Sequence, residues 1–554
     1  MTDDPAAIAS SANAMAAGAL APSGYADDFA RAHLPPVADW PELRFDLPGL
    51  RYPERMNCVA ELLDAGVARG WGQRVALVGA RETLTYAGLL ERVDRIAHVL
   101  RQDLGLPTGS RIMLRGANCP TMAAAILAVI KAGYIAVPTM PLLRARELAT
   151  IATRARVGAV LCAGGLCAEI EAMDMPQLPL LRFDSEAQDG LEARMARHDA
   201  PFPAHDTAAD DVCLISFTSG TTGVPKGTMH FHRDVLAICD CFPRHVLRSH
   251  IDDVFIGTPP LAFTFGLGGL LLFPLRVGAR AVLYEKLSPE ALLAAIEQHR
   301  ATVCFTAPTF YRQMAALAPD FDLSSLTRTV SAGEALPLAT REAWQAATNL
   351  AMIDGIGATE MLHIFISAAG ADIRPGATGK PVPGYQACIL DAEGRQLGPG
   401  VVGRLAVKGP TGCRYLDDPR QRDYVKNGWN LTGDAYEMDA DGYFYYRSRV
   451  DDMIISAGYN IAGAEVEEAL LRHPAVAECG VVGRADAERG QLVEAHVVLK
   501  PGQVPSEALA RELQEFVKQQ IAPYKYPRAL RFREQLPRTE TGKLQRFKLR
   551  TDAP

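Results

Sequence analysis

The chain has 554 residues, which is too long for one compact core and predicts at least two domains. Hydrophobic residues make up 48% of it and charged residues 22%, the balance of an ordinary soluble globular protein. Its formal net charge of -7 gives no basic footprint for nucleic acid, so no nucleic-acid partner is expected.

The first stretch, to about Tyr25, is rich in Ala and Ser and lacks the basic and apolar regions of a signal peptide. Asp3 and Asp4 argue against a transit peptide. Residues 1–25 are therefore predicted to be a disordered extension. The eleven cysteines are scattered without the spacing of a zinc site, which favours a reduced, cytoplasmic protein.

Beyond Arg74, strand and helix signals alternate along the chain. Val75 to Val78 is a short apolar run, and the segment after Thr85 places its apolar residues on one helical face. Ile112 to Leu114 and Ile135 to Val137 predict strands on either side of a buried helix, Thr121 to Lys131. Parallel strands joined by helices predict an α/β fold of layered sheets.

A ten-residue loop, Thr218 to Gly227, has the sequence TSGTTGVPKG and follows the apolar run Val212 to Phe217. Its glycines free the backbone to turn N–H groups inward, and its hydroxyls and lysine add donors and charge. It differs from a Walker loop because Pro225 precedes Lys226. The pattern favours polyphosphate binding over a plain surface turn, through Thr218, Ser219, Gly220, Thr221, Thr222 and Lys226.

Val254 to Leu275 carries no charge and is long enough to raise the question of a membrane span. Three prolines and four glycines interrupt it, so a buried strand, a loop and a short helix are predicted instead.

Two polar motifs then follow predicted strands. Ser331 to Ala335 comes after Arg328 to Val330, and Gly357 to Glu360 comes after Ala351 to Ile356. Ligands in α/β folds gather at the carboxyl ends of strands, so both motifs are candidates for a site.

The character of the sequence changes near Val450. About 100 residues follow with helical patterns at Ala464 to Leu471 and Ser506 to Ile521, and alternating strand patterns around Val476 to Val482 and Ala495 to Leu499. This composition predicts a small α+β domain.

The loop and the later motifs resemble, in order, the adenylate-forming superfamily, which includes acyl-CoA and aryl-CoA ligases, over roughly Asn57 to Arg546. The resemblance implies a large multi-sheet ATP- and acid-binding domain, residues 26–450. It also implies a small mobile α+β domain, residues 451–554. The resemblance further implies ATP, Mg²⁺ and CoA as cofactor and co-substrates, and it is compatible with a homodimer.

By this resemblance, Glu360 helps to hold magnesium on the nucleotide phosphates, and a hard cation does favour such oxygen ligands. Asp434 would accept hydrogen bonds from both ribose hydroxyls. Taken alone, Glu360 is better explained as a solvated carboxylate at a helix start and Asp434 as a turn aspartate, and their place in the ordered series of motifs reverses that preference. The ATP-binding residues implied are Thr218, Ser219, Gly220, Thr221, Thr222, Lys226, Gly333, Glu334, Asp354, Gly355, Thr359, Asp434 and Arg449.

The resemblance also implies domain rotation about a hinge at Asp451. Lys543, in the motif Thr539 to Arg546, would enter the site for adenylation and stabilise charge on the α-phosphate. The catalytic residues implied are Lys543, Glu360 and Thr218. Ser456, Ala457 and Gly458 would approach the pantetheine tunnel of CoA.

The acid pocket implied by the family comprises Phe263, Ala307, Ala358 and His363. The string from Asp354 to Phe365 is similar to benzoate–CoA ligases, and Leu43 to Arg55 is similar to 2-aminobenzoate–CoA ligases. Plain core packing is the alternative for Phe263 and His363. Ile356 departs from the family, in which many members have an aromatic residue there.

These features predict a ligase that activates a small aromatic acid, 2-aminobenzoate or benzoate, as an acyl-AMP and transfers it to CoA. Three alternatives stay open: an adenylation enzyme that loads a carrier protein, a medium-chain acyl-CoA ligase, and a nucleotide-binding protein without catalysis.

Overall fold

The computed structural model describes residues 20–185, 187–218, 225–456, 459–486, 489–521, 523–538 and 544–551. In these ranges the chain forms a mixed α/β structure with a large multi-sheet domain and a smaller α+β domain, which confirms the predicted fold class. None of the helices in this part of the chain is long and apolar enough to cross a bilayer.

The strands, in chain order, are β1 Val75–Val78, β2 Thr83–Thr85, β3 Arg111–Arg115, β4 Ile135–Thr139, β5 Val157–Ala163, β6 Leu180–Phe183, β7 Val212–Thr218, β8 Lys226–Phe231, β9 Val254–Gly257, β10 Arg280–Val282, β11 Val303–Thr306, β12 Arg328–Ser331, β13 Met352–Gly357, β14 Ile364–Ser367, β15 Lys380–Pro381, β16 Gln386–Leu390, β17 Gly403–Lys408, β18 Val425–Lys426, β19 Trp429–Met438, β20 Phe444–Arg449, β21 Ile454–Ser456, β22 Tyr459–Ile461, β23 Val476–Asp486, β24 Gly490–Leu499 and β25 Ala529–Phe532.

The α-helices are α1 Phe29–Ala32, α2 Tyr86–His98, α3 Pro120–Lys131, α4 Ala145–Ala155, α5 Cys167–Glu171, α6 Leu191–Met195, α7 His232–His245, α8 Thr264–Leu267, α9 Phe273–Val277, α10 Pro289–His299, α11 Pro308–Leu317, α12 Leu338–Thr348, α13 Gln421–Tyr424, α14 Gly463–Leu471, α15 Glu507–Gln520 and α16 Arg546–Thr551. Short 3-10 or π turns extend or connect them at Val37–Asp39, Pro48–Leu50, Ala60–Asp64, Val67–Trp71, Val99–Asp103, Gly164–Leu166, Gly268–Leu272, Ala318–Asp320, Thr359–Met361, Gly370–Asp372, Val450–Asp452 and Pro523–Lys525.

Two large sheets have parallel centres, with antiparallel pairing at both edges of the first and at one edge of the second. The first has the order β15-β14-β13-β12-β11-β9-β10-β1-β2 and the second the order β6-β5-β3-β4-β7-β8. Strand β3 and helix α3 are buried along their whole length, and one hydrophobic core contains residues of both sheets. This burial explains the nearly continuous apolar runs of the central strands.

Two smaller sheets complete the structure. The order β16-β17-β19-β18, with β20 beside β19, forms the first, and β22-β21-β24-β23, with β25 beside β24, forms the second. The second sheet packs with α14 and α15 into a separate core at the C-terminal end of the chain.

Two features differ from expectation. Residues 21–25, within the predicted disordered extension, lie against the large domain, because Ser23 and the backbone N–H of Gly24 donate hydrogen bonds to Asp211. The end of that extension therefore belongs to the folded chain. Strand β8 was not predicted, and it forms because it pairs antiparallel with β7 and not because its own composition is apolar.

Candidate active site

Strands β7 and β8 bracket the glycine-rich loop. Thr218, the last residue of β7, pairs with Lys226, the first residue of β8. Ser219, Gly220, Thr221 and Thr222 lie outside the described residues. The paired ends bring the start and the finish of the loop together, so the lysine has a fixed place at its base.

Lys226, Tyr415 and Glu360 form a hydrogen-bonded group, which we call the charged end of the site. The Lys226 Nζ donates to the Tyr415 Oη at 2.8 Å and lies 3.6 Å from the Glu360 Oε1. The Tyr415 Oη in turn donates to the same carboxylate oxygen. Burial raises the pKa of the Tyr415 phenol, and the Glu360 carboxylate raises it further, so this hydroxyl stays protonated and donates.

The turn that carries Glu360 follows β13 and includes Thr359. It ends at Leu362, a buried residue with φ of 67°, a conformation that leucine rarely adopts. The surrounding buried residues hold the turn in this backbone conformation, in which the Glu360 carboxylate faces the Tyr415 hydroxyl. Both described contacts of this carboxylate are made by Oε1. A carboxylate is the kind of oxygen ligand that a hard divalent cation prefers, so Glu360 fits the predicted magnesium ligand.

Asp434 and Arg449 face each other across β19 and β20. The Arg449 Nη1 donates to the Asp434 Oδ1 and to the Thr432 carbonyl, each at 3.0 Å. Gly433, with φ of +77°, lets the guanidinium approach, because a Cβ there would lie 2.7 Å from the Arg449 Nη2. The predicted ribose carboxylate and the predicted nucleotide arginine therefore lie together.

The segment predicted for the adenine side follows β12. The Thr309 Oγ1 donates to the Glu334 Oε2 at 2.6 Å, and Gly333, with φ of +89°, precedes this glutamate. In the neighbouring strand β13, Gly355 follows Asp354, and burial raises the pKa of Asp354 to about 7 although Arg341 opposes the shift.

His363 lies among four phenylalanine rings, which we call the aromatic end. The ring centroids lie 4.5 Å from it for Phe273, 5.7 Å for Phe265, 5.8 Å for Phe242 and 6.4 Å for Phe305. The packing is close, because a Cβ on Gly268 would lie 2.4 Å from the imidazole.

The imidazole of His363 is neutral at physiological pH. Burial lowers its pKa to about 3. Its Nε2 lies 3.4 Å from the Phe265 carbonyl, which fixes the proton on that nitrogen and leaves Nδ1 as an acceptor. Nδ1 is buried and has no hydrogen-bond partner among the described residues.

The other predicted pocket residues are half-buried and lie in the connections between elements. Ala307 lies between β11 and α11, Ala358 between β13 and the Glu360 turn, and Phe263 directly before α8. Among the described aromatic contacts, the rings against His363 include Phe265 and not Phe263. Phe265, two residues after Phe263 in the chain, is therefore the ring of this turn that packs against His363, and the acid pocket stays a prediction.

Comparison with known proteins identifies the family. Residues 65–414 match the model of the AMP-binding enzyme family, and residues 465–543 match the AMP-binding enzyme C-terminal domain. The chain belongs to the AMP-binding enzyme family.

Three relatives match this chain over nearly their whole length and most of its own. A benzoate–CoA ligase of Thauera aromatica is 36% identical over 518 residues, 91% of this chain and 97% of the relative. The crystal structure of the anthranilate CoA ligase AuaEII with anthranoyl-AMP superposes with a TM-score of 0.87 at 34% identity, covering 92% and 99% of the two chains. A benzoate CoA ligase from Burkholderia xenovorans LB400 gives 0.82 at 33% identity, covering 89% and 100%. The protein is an AMP-forming acid–CoA ligase.

The predicted hinge, the predicted CoA-tunnel loop and the segment of Lys543 are only partly within the described residues. Asp451 lies in the turn Val450–Asp452, and the buried Ser456 ends β21. Ala457, Gly458 and Lys543 lie outside the described residues. Arg538 and Leu544 pair across the segment that contains Lys543, so the two ends of this segment lie together.

The sequence did not indicate three groups of residues in the ligase, of which the first two contact Glu360 or His363. Tyr415 stands in no recognisable motif, and Phe242 and Phe273 have the pattern of any core helix. No signal short of the fold itself indicates that these residues meet Glu360 or His363.

A third missed group, Cys58, Cys213 and His232, is completely buried, and its ligand atoms lie within 4.8 Å of one another. The backbone N–H of Cys58 donates to the His232 Nδ1 at 3.2 Å, so the lone pair that would bind a metal already accepts a hydrogen bond. The Tyr25 Oη lies 3.1 Å from Nε2. These hydrogen bonds account for the close approach of the three side chains without a metal. They also hold the open end of the β7–β8 hairpin, because His232 directly follows β8.

Proposed function

We propose that this ligase activates a small aromatic carboxylic acid, with 2-aminobenzoate and benzoate the leading candidates, and transfers it to CoA. The observation that carries the proposal is His363, whose neutral imidazole lies among four phenylalanine rings three residues after Glu360. A planar ring would gain about 1.5 to 3 kcal/mol from burial against such a surface. The benzoate and anthranilate ligases among its relatives support the same class.

The reaction proceeds in two steps. A carboxylate oxygen of the acid attacks the α-phosphorus of ATP, which forms an acyl-AMP and releases pyrophosphate. The thiol of CoA then attacks the acyl carbon, and the bond to AMP breaks with AMP as the leaving group. The protein contributes mainly position and charge to both steps.

We assign the charged end to the first step. Glu360 would hold Mg²⁺, which neutralises charge on the phosphates, while Lys226 and the loop that begins at Thr218 bind the polyphosphate. Asp434 would accept the ribose hydroxyls, with Arg449 holding its carboxylate in place. Lys543 would stabilise the charge that develops during attack.

The same proposal assigns the domains. Residues 26–450 would bind ATP and the acid, and residues 451–554 would rotate about Asp451 between the two steps. The loop from Ser456 would then approach the pantetheine arm of CoA.

The amino group of 2-aminobenzoate needs an acceptor, because an apolar wall leaves its N–H groups unsatisfied. The Nδ1 of His363 is such an acceptor, since Nε2 carries the proton that faces the Phe265 carbonyl. Benzoate makes no use of this nitrogen. This acceptor supports 2-aminobenzoate as a candidate beside benzoate.

A CoA-thioester assay over benzoate, 2-aminobenzoate, cinnamate and C6 to C10 fatty acids tests the proposal. We expect the highest kcat/KM for 2-aminobenzoate or benzoate. A higher value for a fatty acid would contradict the aromatic substrate. ATP–pyrophosphate exchange without thioester formation would instead indicate a carrier protein as the acceptor.

A further inference from the structure

Arg538, an arginine of the small domain, contacts both domains. The Arg538 Nη1 lies 3.5 Å from the Glu334 Oε1 of the large domain. Its Nη2 donates to the Glu478 Oε2, on β23 of the small domain, at 2.7 Å. The guanidinium therefore contacts one carboxylate on each side of the domain boundary.

Glu334 is held from its other side as well. The Thr309 hydroxyl, in the first turn of α11, donates to Oε2, while Oε1 faces Arg538. Each oxygen of this carboxylate thus has its own partner. Thr309 fixes the orientation of Glu334 independently of the small domain. The ion pair with Arg538 therefore costs less side-chain conformational entropy.

The facing charges alternate in sign across the boundary. Arg312, also on α11, is half-buried, and burial lowers its pKa while the nearby Glu478 opposes the shift. Among the described residues at this contact, the large domain thus presents Glu334 and Arg312, and the small domain presents Arg538 and Glu478. This arrangement favours one orientation of the small domain over others.

The position of Arg538 in the sequence connects this contact to Lys543, the lysine predicted to act in adenylation. It directly precedes the segment Thr539 to Lys543, and it pairs with Leu544 at the other end of that segment. Its side chain lies beside the residues that follow β12, on the predicted adenine side. Glu334 thus holds the base of the segment that carries Lys543 against the nucleotide side of the large domain.

We propose that Arg538 is a positioning residue for the first step of the reaction: its contact with Glu334 holds the small domain in the adenylation orientation and breaks when that domain turns. This inference rests on the proposed two-step function. It assigns Arg538 no contact with substrate. A partly exposed ion pair of this kind contributes modestly, so we expect effects of roughly 3- to 10-fold on rate.

The experiment compares the two half-reactions in the wild type, Arg538→Gln and Arg538→Lys. Arg538→Gln should lower ATP–pyrophosphate exchange by roughly 3- to 10-fold and leave thioester formation from supplied acyl-AMP unchanged. Arg538→Lys, which keeps the charge, should recover most of the exchange rate. Raising the NaCl concentration should slow exchange in the wild type more than in Arg538→Gln.

Arg472→Gln is the matched control. Arg472 belongs to the small domain but pairs with Glu468 on the same helix at 3.0 Å, so its loss should change neither half-reaction. An equal loss in both half-reactions of Arg538→Gln, or an unchanged exchange rate, would overturn the proposal.

A second measurement separates this inference from the proposed function. If the wild type forms no acyl-AMP with any aromatic acid, the proposed function fails, and amide hydrogen exchange still tests the contact. Arg538→Gln should speed exchange in the segments around Glu334 and Leu544, whereas Arg472→Gln should not. Unchanged amide hydrogen exchange in both segments would contradict the proposal that this contact orients the small domain.

Discussion

The charged end and the aromatic end of the site lie on one short stretch of chain yet are built by different physics. Glu360 takes part in directed hydrogen bonds with Tyr415 and an ion pair with Lys226. Three residues later, His363 is held by ring packing and one long contact to a carbonyl. Directed bonds fix individual atoms, whereas packing fixes a shape.

The difference indicates how one family supports many substrates. Every member must position the same phosphates, so a phosphate site such as the one proposed at the charged end has to place donors and charges within a fraction of an ångström. An acid pocket such as the one proposed at the aromatic end needs only a complementary surface with one correctly placed polar atom. Changes at the two ends should therefore affect different steps and different substrate ratios.

The largest expected effect is at the charged end. Glu360→Gln keeps an acceptor for Tyr415 but removes the charge that would hold Mg²⁺, so ATP–pyrophosphate exchange should fall by about 100-fold or more with every acid. The melting temperature should stay near that of the wild type. Exchange that persists within threefold would remove Glu360 from the proposed metal site.

Tyr415→Phe should have a smaller effect of the same kind. It removes the hydroxyl that joins Lys226 to Glu360, and loss of one such hydrogen bond corresponds to about 10-fold in rate. The exchange rates with benzoate and 2-aminobenzoate should fall equally, with thioester formation from acyl-AMP unaffected. A change in the ratio of the two acids would show that the two ends are not independent.

At the aromatic end, His363→Phe retains a ring but removes the Nδ1 acceptor. We expect kcat/KM for 2-aminobenzoate to fall roughly 3- to 10-fold relative to benzoate, while exchange with benzoate stays near the wild-type rate. Tyr415→Phe, which leaves the imidazole intact, serves as the reciprocal control. An unchanged ratio of the two kcat/KM values would show that His363 does not bind the amino group, and it would not contradict the proposed preference for an aromatic ring.

The smallest effect concerns stability against acid. The pKa of His363 is about 3 in the folded chain and 6.5 in its ordinary state, so below pH 6.5 the unfolded chain binds a proton that the folded chain does not. Its contribution is complete above pH 6.5 and is lost progressively towards pH 3. His363→Phe should therefore gain on the order of 1 °C in melting temperature per pH unit relative to the wild type between pH 6 and 4.5.

Thermal unfolding of both proteins at pH 7.5, 6.0 and 4.5 measures this difference. His230, whose pKa burial also lowers to about 3, is present in both proteins and cancels. A constant difference across the three pH values would mean that His363 does not stay neutral in the folded chain.

Much of the fold and the order of the motifs could be predicted from the sequence. The elements α3 and β7 and the two helices α14 and α15 were predicted to within one or two residues, because burial on all sides or on one helical face leaves a local pattern. Strand β8 was missed because the pairing with β7, and not its own residues, makes it a strand. The roles of all the predicted site residues, including Lys543 and the phosphate loop, stay predictions.

The sequence by itself was enough to select Lys226, Glu360 and Asp434 as candidate site residues, because each stands in a contiguous motif. Only the tertiary structure decided their partners. Tyr415 is 55 positions from Glu360 and 189 from Lys226, and Arg538 is 204 from Glu334. Such contacts depend on strand register and on how sheets and domains pack, which no local periodicity records.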